Sequence, residues 1–365
     1  MAPSAKSILP EHTKEDRVLT HDRQFACCRF NAEGDVLFAA GFDGLLHRFN
    51  LTDDKHDSFP AHHGWIESMA LHPGGDRLFT ADSWGEIHCW NTQGPKLSPQ
   101  WTIQKAHSSW LQDLKVRPDG GRIATCGNDR MVRVFSTADG KPAAELKGHQ
   151  RCVQSVAFHN DGKSLVSGDQ TGAVLHWDTA SGKTVRKFDA GKLFKPFHQY
   201  DQGGVRSMMF DDAYQTLYCA GFEGINANQA HGVPTVVAFD WESGKQKQIM
   251  TPTEDYKGPI LELAHHPAGY IIGAGSSEAG GRLWFWKPGE EKNCHEVKNV
   301  TSFRGIDLHK DGLLLAAAAF GDRGGQRGGN GRRLTKDGEY LGFAGSLVVY
   351  KLSDSKLSEE APEKT

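Results

Sequence analysis

The sequence predicts an all-β protein in which seven small four-stranded antiparallel sheets are arranged in a ring. Three observations support this: a short phrase recurs about every forty residues, each repeat has the alternation typical of strands, and turns are frequent. Glycine supplies 42 of the 365 residues, above the usual ~7%. Because glycine is favoured in tight turns, this excess indicates many short hairpins.

The recurring phrase is an alternating strand that ends in an anchor residue and is usually followed, a few residues later, by glycine. It reads CCRFNAEG, SMALHPGG, DLKVRPDG and SVAFHNDG in the first half of the chain. Seven such units cover nearly the whole sequence, so one repeat array is favoured over the two or three domains expected from length. The anchors are Phe30, Leu71, Val116, Phe158, Phe210, His265 and Leu308.

Each unit contains signals for four strands. After the first turn comes a short apolar stretch such as DRLFTA, then an alternating segment that ends in an aromatic residue, such as EIHCWN. A further turn such as TADGKP leads to a fourth strand. Period-two alternation bounded by Gly, Asn and Asp is typical of half-buried strands. A single small sheet cannot bury both of its faces, whereas stacked neighbours can.

The signature pairs Gly148-His149 and Trp177-Asp178 open and close one of these units. With this spacing, the units resemble the WD-repeat (Trp-Asp repeat) β-propeller family over residues 15–352. The resemblance implies a single seven-bladed propeller, preceded by a tail over residues 1–14 and followed by a polar tail over 353–365. It also implies a protein-interaction role.

The family resemblance further implies a buried hydrogen-bond relay in each blade, which joins a histidine, a Ser or Thr, a turn aspartate and a tryptophan. On this reading the second repeat has Trp84 where the aspartate belongs, and the fourth repeat also lacks it. The third repeat has Phe135, which cannot donate, in place of the tryptophan. The expected relay residues are His21, His62, Thr80, Trp90, His107, Thr125, Asp129, His149, Ser167 and Trp177.

The last repeat ends in LVVYKLSD and is followed by a polar stretch. Its outer strand must therefore come from elsewhere, and residues 16–20 (DRVLT) near the N-terminus are the expected source. Such a strand would close the ring and cover an otherwise exposed sheet edge.

Four long insertions are expected to emerge on one face of the ring: residues 189–204, 221–234, 275–281 and 321–343. Long loops on a rigid scaffold commonly bind partners, although neutral variation of surface loops would leave the same pattern. The first insertion offers Phe194 and Phe197 beside lysines. The last carries Arg323 and Arg327 in Arg-Gly-Gly triplets, which resemble short RNA-binding segments, so anion or RNA binding is an alternative function.

The resemblance places a further partner surface near the channel mouth, three and five residues after the residue that opens each blade. Position three gives Trp65 and Trp110 on adjacent blades. Aromatic and arginine side chains dominate interface energies, but both tryptophans could instead pack under neighbouring loops. Position five gives Glu67, Gln112, Gln154, Arg206 and Arg304.

Composition and missing motifs narrow the function classes. The net charge of −3 disfavours a general nucleic-acid binder, and no apolar run is long enough to span a membrane. Seven cysteines without CxxC pairs favour a reduced, cytoplasmic protein. No HExxH motif or Cys/His cluster at ligand spacing is present, so neither catalysis, metal nor cofactor is expected.

The leading hypothesis is therefore a non-enzymatic scaffold, a monomeric ring or part of a complex, that binds a protein or peptide on the looped face. The alternative to this scaffold, besides the RNA binder, is a propeller enzyme or ligand binder that uses the central channel.

Overall fold

The computed structural model describes residues 8–197, 200–224, 232–277, 280–320 and 345–353. These residues form seven four-stranded antiparallel sheets, arranged as the blades of a seven-bladed β-propeller. The predicted fold class is confirmed. The helical segments in this part of the chain are two three-residue turns, Pro10–His12 and Gly191–Leu193, and neither could cross a membrane.

The strands follow one another in chain order, with the innermost strand of each blade first. Strand β1 (Lys14–His21) belongs to blade seven. The blades are: one, β2 (Phe25–Phe30), β3 (Val36–Gly41), β4 (Leu45–Asn50), β5 (His56–Pro60); two, β6 (Ile66–Leu71), β7 (Arg77–Asp82), β8 (Ile87–Asn91), β9 (Ser98–Ile103); three, β10 (Leu111–Val116), β11 (Arg122–Gly127), β12 (Met131–Ser136), β13 (Pro142–Lys147); four, β14 (Val153–Phe158), β15 (Ser164–Asp169), β16 (Ala173–Asp178), β17 (Thr184–Asp189).

An extra hairpin follows blade four and is made of β18 (Phe194–Phe197) and β19 (Tyr200–Gly203). The remaining blades are: five, β20 (Ser207–Phe210), β21 (Thr216–Gly224), β22 (Gly232–Asp240), β23 (Gln246–Met250); six, β24 (Ile260–His265), β25 (Ile271–Ser277), β26 (Gly280–Trp286), β27 (His295–Val300); seven, β28 (Ser302–Leu308), β29 (Leu314–Phe320), β30 (Gly345–Lys351) and β1.

Strand β1 closes the ring, as the sequence predicts. It pairs antiparallel with β30 from Lys14 opposite Lys351 to His21 opposite Gly345. The inner strands of blades one and seven also contact each other directly. Ordered packing extends into the segment expected to be a tail, because Ile8 is buried in the core between blades six and seven.

The hydrophobic core is divided into seven clusters, each lying between two neighbouring blades. Between blades one and two, for example, Phe38 and Leu46 pack against Leu78 and Trp90. Each blade therefore contributes one face to each of two clusters. This is why a four-stranded sheet with no core of its own is stable in the ring.

A belt of hydrogen bonds around the channel links the innermost strands. In each case a side chain on one inner strand accepts a main-chain N–H from the next blade. Six junctions are joined in this way: Ser68 to Leu114 (3.1 Å), Asp113 to Val156 (3.1 Å), Ser155 to Met208 (3.0 Å), Ser207 to Leu263 (3.1 Å), Glu262 to Ile306 (2.7 Å) and Asp307 to Phe30 (2.7 Å).

Asp113 has the largest share of this belt. Its Oδ1 accepts the Ser68 hydroxyl (3.3 Å) and the Leu114 N–H (2.9 Å). Its Oδ2 accepts the Ser155 hydroxyl (3.2 Å) and the Val156 N–H (3.1 Å). One buried carboxylate thus holds blades two, three and four together.

A second set of hydrogen bonds lies at the end of the channel where the inner strands finish. The side chains that make these bonds are in the turns after the inner strands. They donate to main-chain carbonyls of the next blade. These bonds are Arg117 to Gly162 (2.9 Å), His159 to Tyr214 (3.1 Å), His266 to Gly312 (2.8 Å) and His309 to Ala32 (3.2 Å). At these four junctions the neighbouring blades are therefore linked at both ends of the channel.

The described residues of the insertion at 189–204 contact those of a second insertion. The β18–β19 hairpin lies against β21, which extends with β22 beyond the usual length of a blade strand. The Lys192 ammonium is 3.2 Å from the Glu223 carboxylate, and a Cβ on Gly224 would be 2.8 Å from the Lys195 Cβ. The described parts of two of the four insertions therefore pack together beside blade five.

We predict that Asp113→Ala lowers the free energy of unfolding by about 3 kcal/mol, because it leaves the Ser68 and Ser155 hydroxyls and the Val156 N–H, buried donors of blades two and four, without their acceptor. Urea denaturation followed by far-UV circular dichroism measures this loss. Asp119→Ala, an exposed turn aspartate of the same blade, is the control, with a loss of at most about 1 kcal/mol. Equal losses in the two variants would contradict the role of the belt.

Candidate functional site

The channel mouth is lined by one residue from each blade. These residues are Ala26, Glu67, Gln112, Gln154, Arg206, Leu261 and Arg304. Five of the seven are the position-five residues singled out from the sequence, and the structure brings them together. Each lies just before or within the first three residues of an inner strand, so the repeat spacing sets their common depth. The mouth is consequently a ring of mixed chemistry with two guanidinium groups and one carboxyl group.

Three aromatic side chains form a ridge beside the mouth. The Trp65 and Trp110 rings lie edge to face with centroids 5.6 Å apart, and the Phe42 ring is 4.8 Å from Trp65. Trp65 and Trp110 are 44% and 42% exposed, so within the described structure they are not covered by neighbouring loops. We call Phe42, Trp65 and Trp110 the aromatic ridge.

Charged groups of the mouth adjoin the aromatic ridge. The Arg304 guanidinium lies 4.5 Å from the centre of the Phe42 ring, a cation–π arrangement. Burial raises the pKa of Glu67, although the positive charge of Arg304 opposes that shift. The surrounding protein desolvates Arg206 and lowers the pKa of its guanidinium. An incoming carboxylate would therefore meet two incompletely hydrated cations.

Phe42 and Trp84 are exposed or half-exposed residues that the sequence reasoning did not assign to the surface. Trp84 is 62% exposed and its ring lies 6.0 Å from that of His63. Both aromatic residues occupy the turn between the second and third strands of their blades. The available signal was a large apolar residue in a turn where a small or polar one is usual.

Below the mouth, ion pairs cross the channel. Arg29 is 3.1 Å from Glu262, and Lys115 lies 3.4 Å from Asp113 and 3.8 Å from Glu262. The cavity at the mouth has a volume of about 160 Å³ among the described residues. Pockets for drug-sized ligands are typically ~300–1,000 Å³. The described mouth is thus better suited to a protruding side chain than to an enclosed small molecule.

Blade four contains a complete relay. The Trp177 indole N–H donates to the Ser167 hydroxyl (2.7 Å), which lies 2.7 Å from His149 Nε2. His149 Nδ1 is 2.9 Å from Asp169 Oδ2. With the proton on Nδ1, the neutral imidazole donates to the aspartate and accepts from the serine. All four side chains then have partners.

The expectation that repeats two and four lack a relay aspartate is wrong. In blade two, Thr80 Oγ1 lies 2.7 Å from His62 Nε2 and accepts the Trp90 indole N–H at 2.9 Å. Asp82, rather than the residue at Trp84, lies 3.1 Å from His62 Nδ1. Asp82 follows Thr80 by two residues and therefore shares its face of the strand. Asp169 stands in the same relation to Ser167 in blade four.

Blade three takes its aspartate from the turn, as predicted, and adds a cation. His107 lies 2.9 Å from Thr125 Oγ1 and 2.9 Å from Asp129 Oδ1. The Arg133 guanidinium donates to Asp129 at 2.8 Å. Burial raises the pKa of Asp129, but hydrogen bonds from His107 and Arg133 outweigh it and hold the pKa well below its usual range.

The remaining predicted residues are placed differently. Phe194 is half-buried in β18, and Phe197 is at the end of the same strand. Arg323 and Arg327 lie outside the described residues. His21 contacts Asp43 Oδ2 at 2.8 Å, although its blade offers Ala39 where the other relays have a hydroxyl.

Seven radially packed sheets and buried His–Ser/Thr–Trp relays define a β-propeller of repeated sequence units. The WD domain, G-beta repeat family matches three segments, 54–91, 98–136 and 140–178. The match covers three of the repeats and agrees with the resemblance found in the sequence, so the chain is similar to WD-repeat β-propellers.

The chain is similar in sequence to proteins that have different names and lengths. The ribosome biogenesis protein WDR12 homolog of Chlamydomonas reinhardtii is 26% identical over 303 residues, which cover 72% of this chain and 62% of that protein. The small ribosomal subunit protein RACK1y of Oryza sativa subsp. japonica is 28% identical over 160 residues, or 43% and 41% of the two chains.

Apoptotic protease-activating factor 1 of Rattus norvegicus is 23% identical over 177 residues, which cover 48% of this chain and 14% of that protein. The chain spans less than two thirds of the length of each of these three relatives. WD-repeat propellers generally serve as protein-interaction scaffolds.

We predict that Thr80→Val lowers the free energy of unfolding by about 2 kcal/mol, because it removes the hydroxyl shared by a buried imidazole and a buried indole. Thr125→Val should cost about 1 kcal/mol, since Phe135 in that blade makes no bond to the hydroxyl. Thermal and urea unfolding of the two variants provide the comparison. A loss in Thr125→Val as large as that in Thr80→Val would contradict the shared-hydroxyl account.

Proposed function

We propose that this protein is a non-enzymatic interaction scaffold that docks a protein or peptide on the face carrying the aromatic ridge. The observation that carries the proposal is the exposure of Trp65 and Trp110 in edge-to-face contact beside the channel mouth. Clustered tryptophan and arginine side chains are the usual energetic centre of protein interfaces. The fold alone supports this only by analogy.

The chemistry of the mouth suggests what the partner presents. The aromatic ridge offers an apolar surface for an aromatic or aliphatic anchor residue. Arg206 and Arg304 would pair with a carboxylate next to that anchor, and the gain is favourable because both guanidinium groups are already desolvated. We therefore propose a segment with one large apolar residue and an adjacent Asp or Glu.

The alternatives have less support. A channel enzyme or ligand binder would need to fit its substrate into a mouth cavity of about 160 Å³ above ion pairs that cross the channel. An RNA-binding function would rest on 321–343, outside the described residues, while the mouth itself carries a carboxyl group among its cations. We keep protein or peptide binding as the proposed function.

We also propose a reducing compartment such as the cytoplasm for this scaffold. All seven cysteines lie within the described residues and are free, and five of them are buried in the blades. Disulfides form and persist in oxidising compartments and are rare in proteins of the cytosol. We propose that the chain acts as a monomeric ring or as one part of a larger complex, because β1 already covers the edge of blade seven.

A peptide selection tests the docking face. Peptides selected from a random phage library on the full chain should contain an apolar or aromatic residue beside Asp or Glu. Their affinity for the triple variant Trp65→Ala/Trp110→Ala/Arg206→Ala should fall at least ~30-fold, the size expected on removing an interface centre. Fluorescence anisotropy with labelled peptides measures the change.

Val185→Ser is the matched control, because it removes a 58%-exposed apolar residue on the outer strand of blade four. It should leave peptide affinity unchanged. Selected peptides that bind the triple variant as tightly as the original chain would refute the proposed face. Peptides that lose affinity equally in both variants would do the same.

A further inference from the structure

Blade one departs from the relay in a specific way. The residue 18 positions after its histidine is Ala39, where blades two to four have Thr80, Thr125 or Ser167. The residue 28 positions after it is Phe49, where blades two and four have tryptophan. His21 therefore lacks the hydroxyl that contacts the histidine in the complete relays, and its blade lacks the indole that donates to that hydroxyl.

The imidazole of His21 points instead into a cluster of metal-ligating groups. Its Nε2 is 2.8 Å from Asp43 Oδ2 and 3.2 Å from Asp22 Oδ1. His47, from β4, brings its own Nε2 to within 2.8 Å of the same Asp43 oxygen. The donor atoms of His21, Asp43 and His47 all lie within 4.8 Å of one another.

We propose that His21, Asp43 and His47 bind a divalent transition-metal ion of the zinc type, with Asp22 available as a fourth ligand. Two imidazole nitrogens and one or two carboxylate oxygens are a donor set that zinc accepts in tetrahedral sites. Each imidazole coordinates through Nε2, and Asp43 coordinates through Oδ2. The site lies between the end of the ring-closing strand and the third strand of blade one.

The surrounding contacts orient the ligands as a metal site requires. His47 is fully buried, and its Nδ1 is 2.9 Å from His56 Nε2. With metal on Nε2, the His47 Nδ1–H donates to that nitrogen and fixes the ring. The other carboxylate oxygen of Asp43 accepts the Leu45 N–H at 3.0 Å. Its Oδ2 is thereby left facing the two histidines.

In blade three, a positively charged side chain occupies the position that His47 has in blade one. The residue 26 positions after its histidine is Arg133, which contacts Asp129 at 2.8 Å and His107 Nδ1 at 3.0 Å. In blade one that position is His47, so an imidazole replaces the guanidinium beside the aspartate. A bound divalent ion would place positive charge beside Asp43, as Arg133 does beside Asp129.

Blade two carries a similar set, but its His62 already takes part in a relay. His62, Glu86 and His88 also bring their donor atoms together. However, His62 Nε2 lies 2.7 Å from the Thr80 hydroxyl, and its Nδ1 lies 3.1 Å from Asp82. Metal binding there would break the relay. The blade-two set is therefore an internal control, because it shows whether any cluster of histidines on this protein binds metal.

Metal at this site would tie the ring closure to blade one. His21 is the last residue of β1 and pairs with Gly345 of blade seven. His47 and Asp43 belong to blade one, so the ion would cross-link two neighbouring blades at the seam where the ring closes. Binding to the folded ring alone stabilises it in proportion to the logarithm of metal concentration.

The test uses the full chain, stripped with a chelator and then titrated with Zn²⁺ by calorimetry and with Co²⁺ by visible absorption. We expect one saturable site per chain, the absorption of tetrahedral Co²⁺, and a higher unfolding temperature with Zn²⁺. His47→Gln should weaken Zn²⁺ binding at least tenfold and abolish the Co²⁺ absorption, whereas His88→Gln should leave both unchanged.

If His47→Gln does not fold, Asp22→Asn provides the test. The Asp22 side chain is 73% exposed, so replacing its carboxylate with the asparagine amide barely changes the packing. A weaker Zn²⁺ affinity in Asp22→Asn with unchanged stability of the metal-free form supports the site. Absence of a saturable site in the original chain, binding unaffected by both His47→Gln and Asp22→Asn, or binding lost in His88→Gln would each overturn it.

Discussion

The whole ring depends on how the free edges of its innermost strands are satisfied. An inner strand pairs on one side only, so its other N–H groups face the channel and the next blade, where an unpaired buried donor is costly. Side-chain oxygens from the preceding blade fill this need at six junctions, with Asp113, Glu262 and Asp307 as the carboxylate acceptors. Gly305 allows the carboxylate of Glu262 to approach, because a Cβ there would lie 2.9 Å from it.

This constraint also explains why the channel is so polar. Acceptors for strand edges must point inward, and the positive groups Arg29 and Lys115 neutralise the carboxylates among them. Burial in this setting raises the pKa of Asp307 to about 6, while Arg29 opposes the shift. The charged side chains inside the channel thus serve mainly to hold the blades together. Recognition of a partner is left to the side chains of the mouth and the aromatic ridge.

Repeat spacing was sufficient to predict the fold, because each turn and strand recurs at a fixed offset from its anchor. The family resemblance implied the position-five residues, all five of which the structure brings together at the mouth. Offsets failed for the relay aspartates: Asp82 and Asp169 come from the end of a strand, two residues before the expected turn position. An aspartate at the strand end and an aspartate in the turn can both reach the relay histidine. A fixed offset from the histidine therefore does not distinguish between these two positions.

Contacts between elements far apart in the chain were beyond sequence reasoning. Phe42 meets Trp65 because two turns of adjacent blades come together, and His47 meets His21 because β1 closes the ring beside β4. Neither pair has a motif with a characteristic spacing. The hairpin at 194–203 was read as a loop for a similar reason, since its strands are four residues long and pack on the extended β21.

The antiparallel register of β1 and β30 has a mechanical consequence. Lys14 and Lys351 lie opposite each other, and the chain just beyond them stays attached, because Ile8 is buried between blades six and seven and the Leu9 N–H donates to the Ser353 carbonyl at 3.0 Å. Tension between a neighbour attached before β1 and another attached after β30 would first extract this segment. It would then peel the two strands apart one rung at a time, instead of shearing all rungs together.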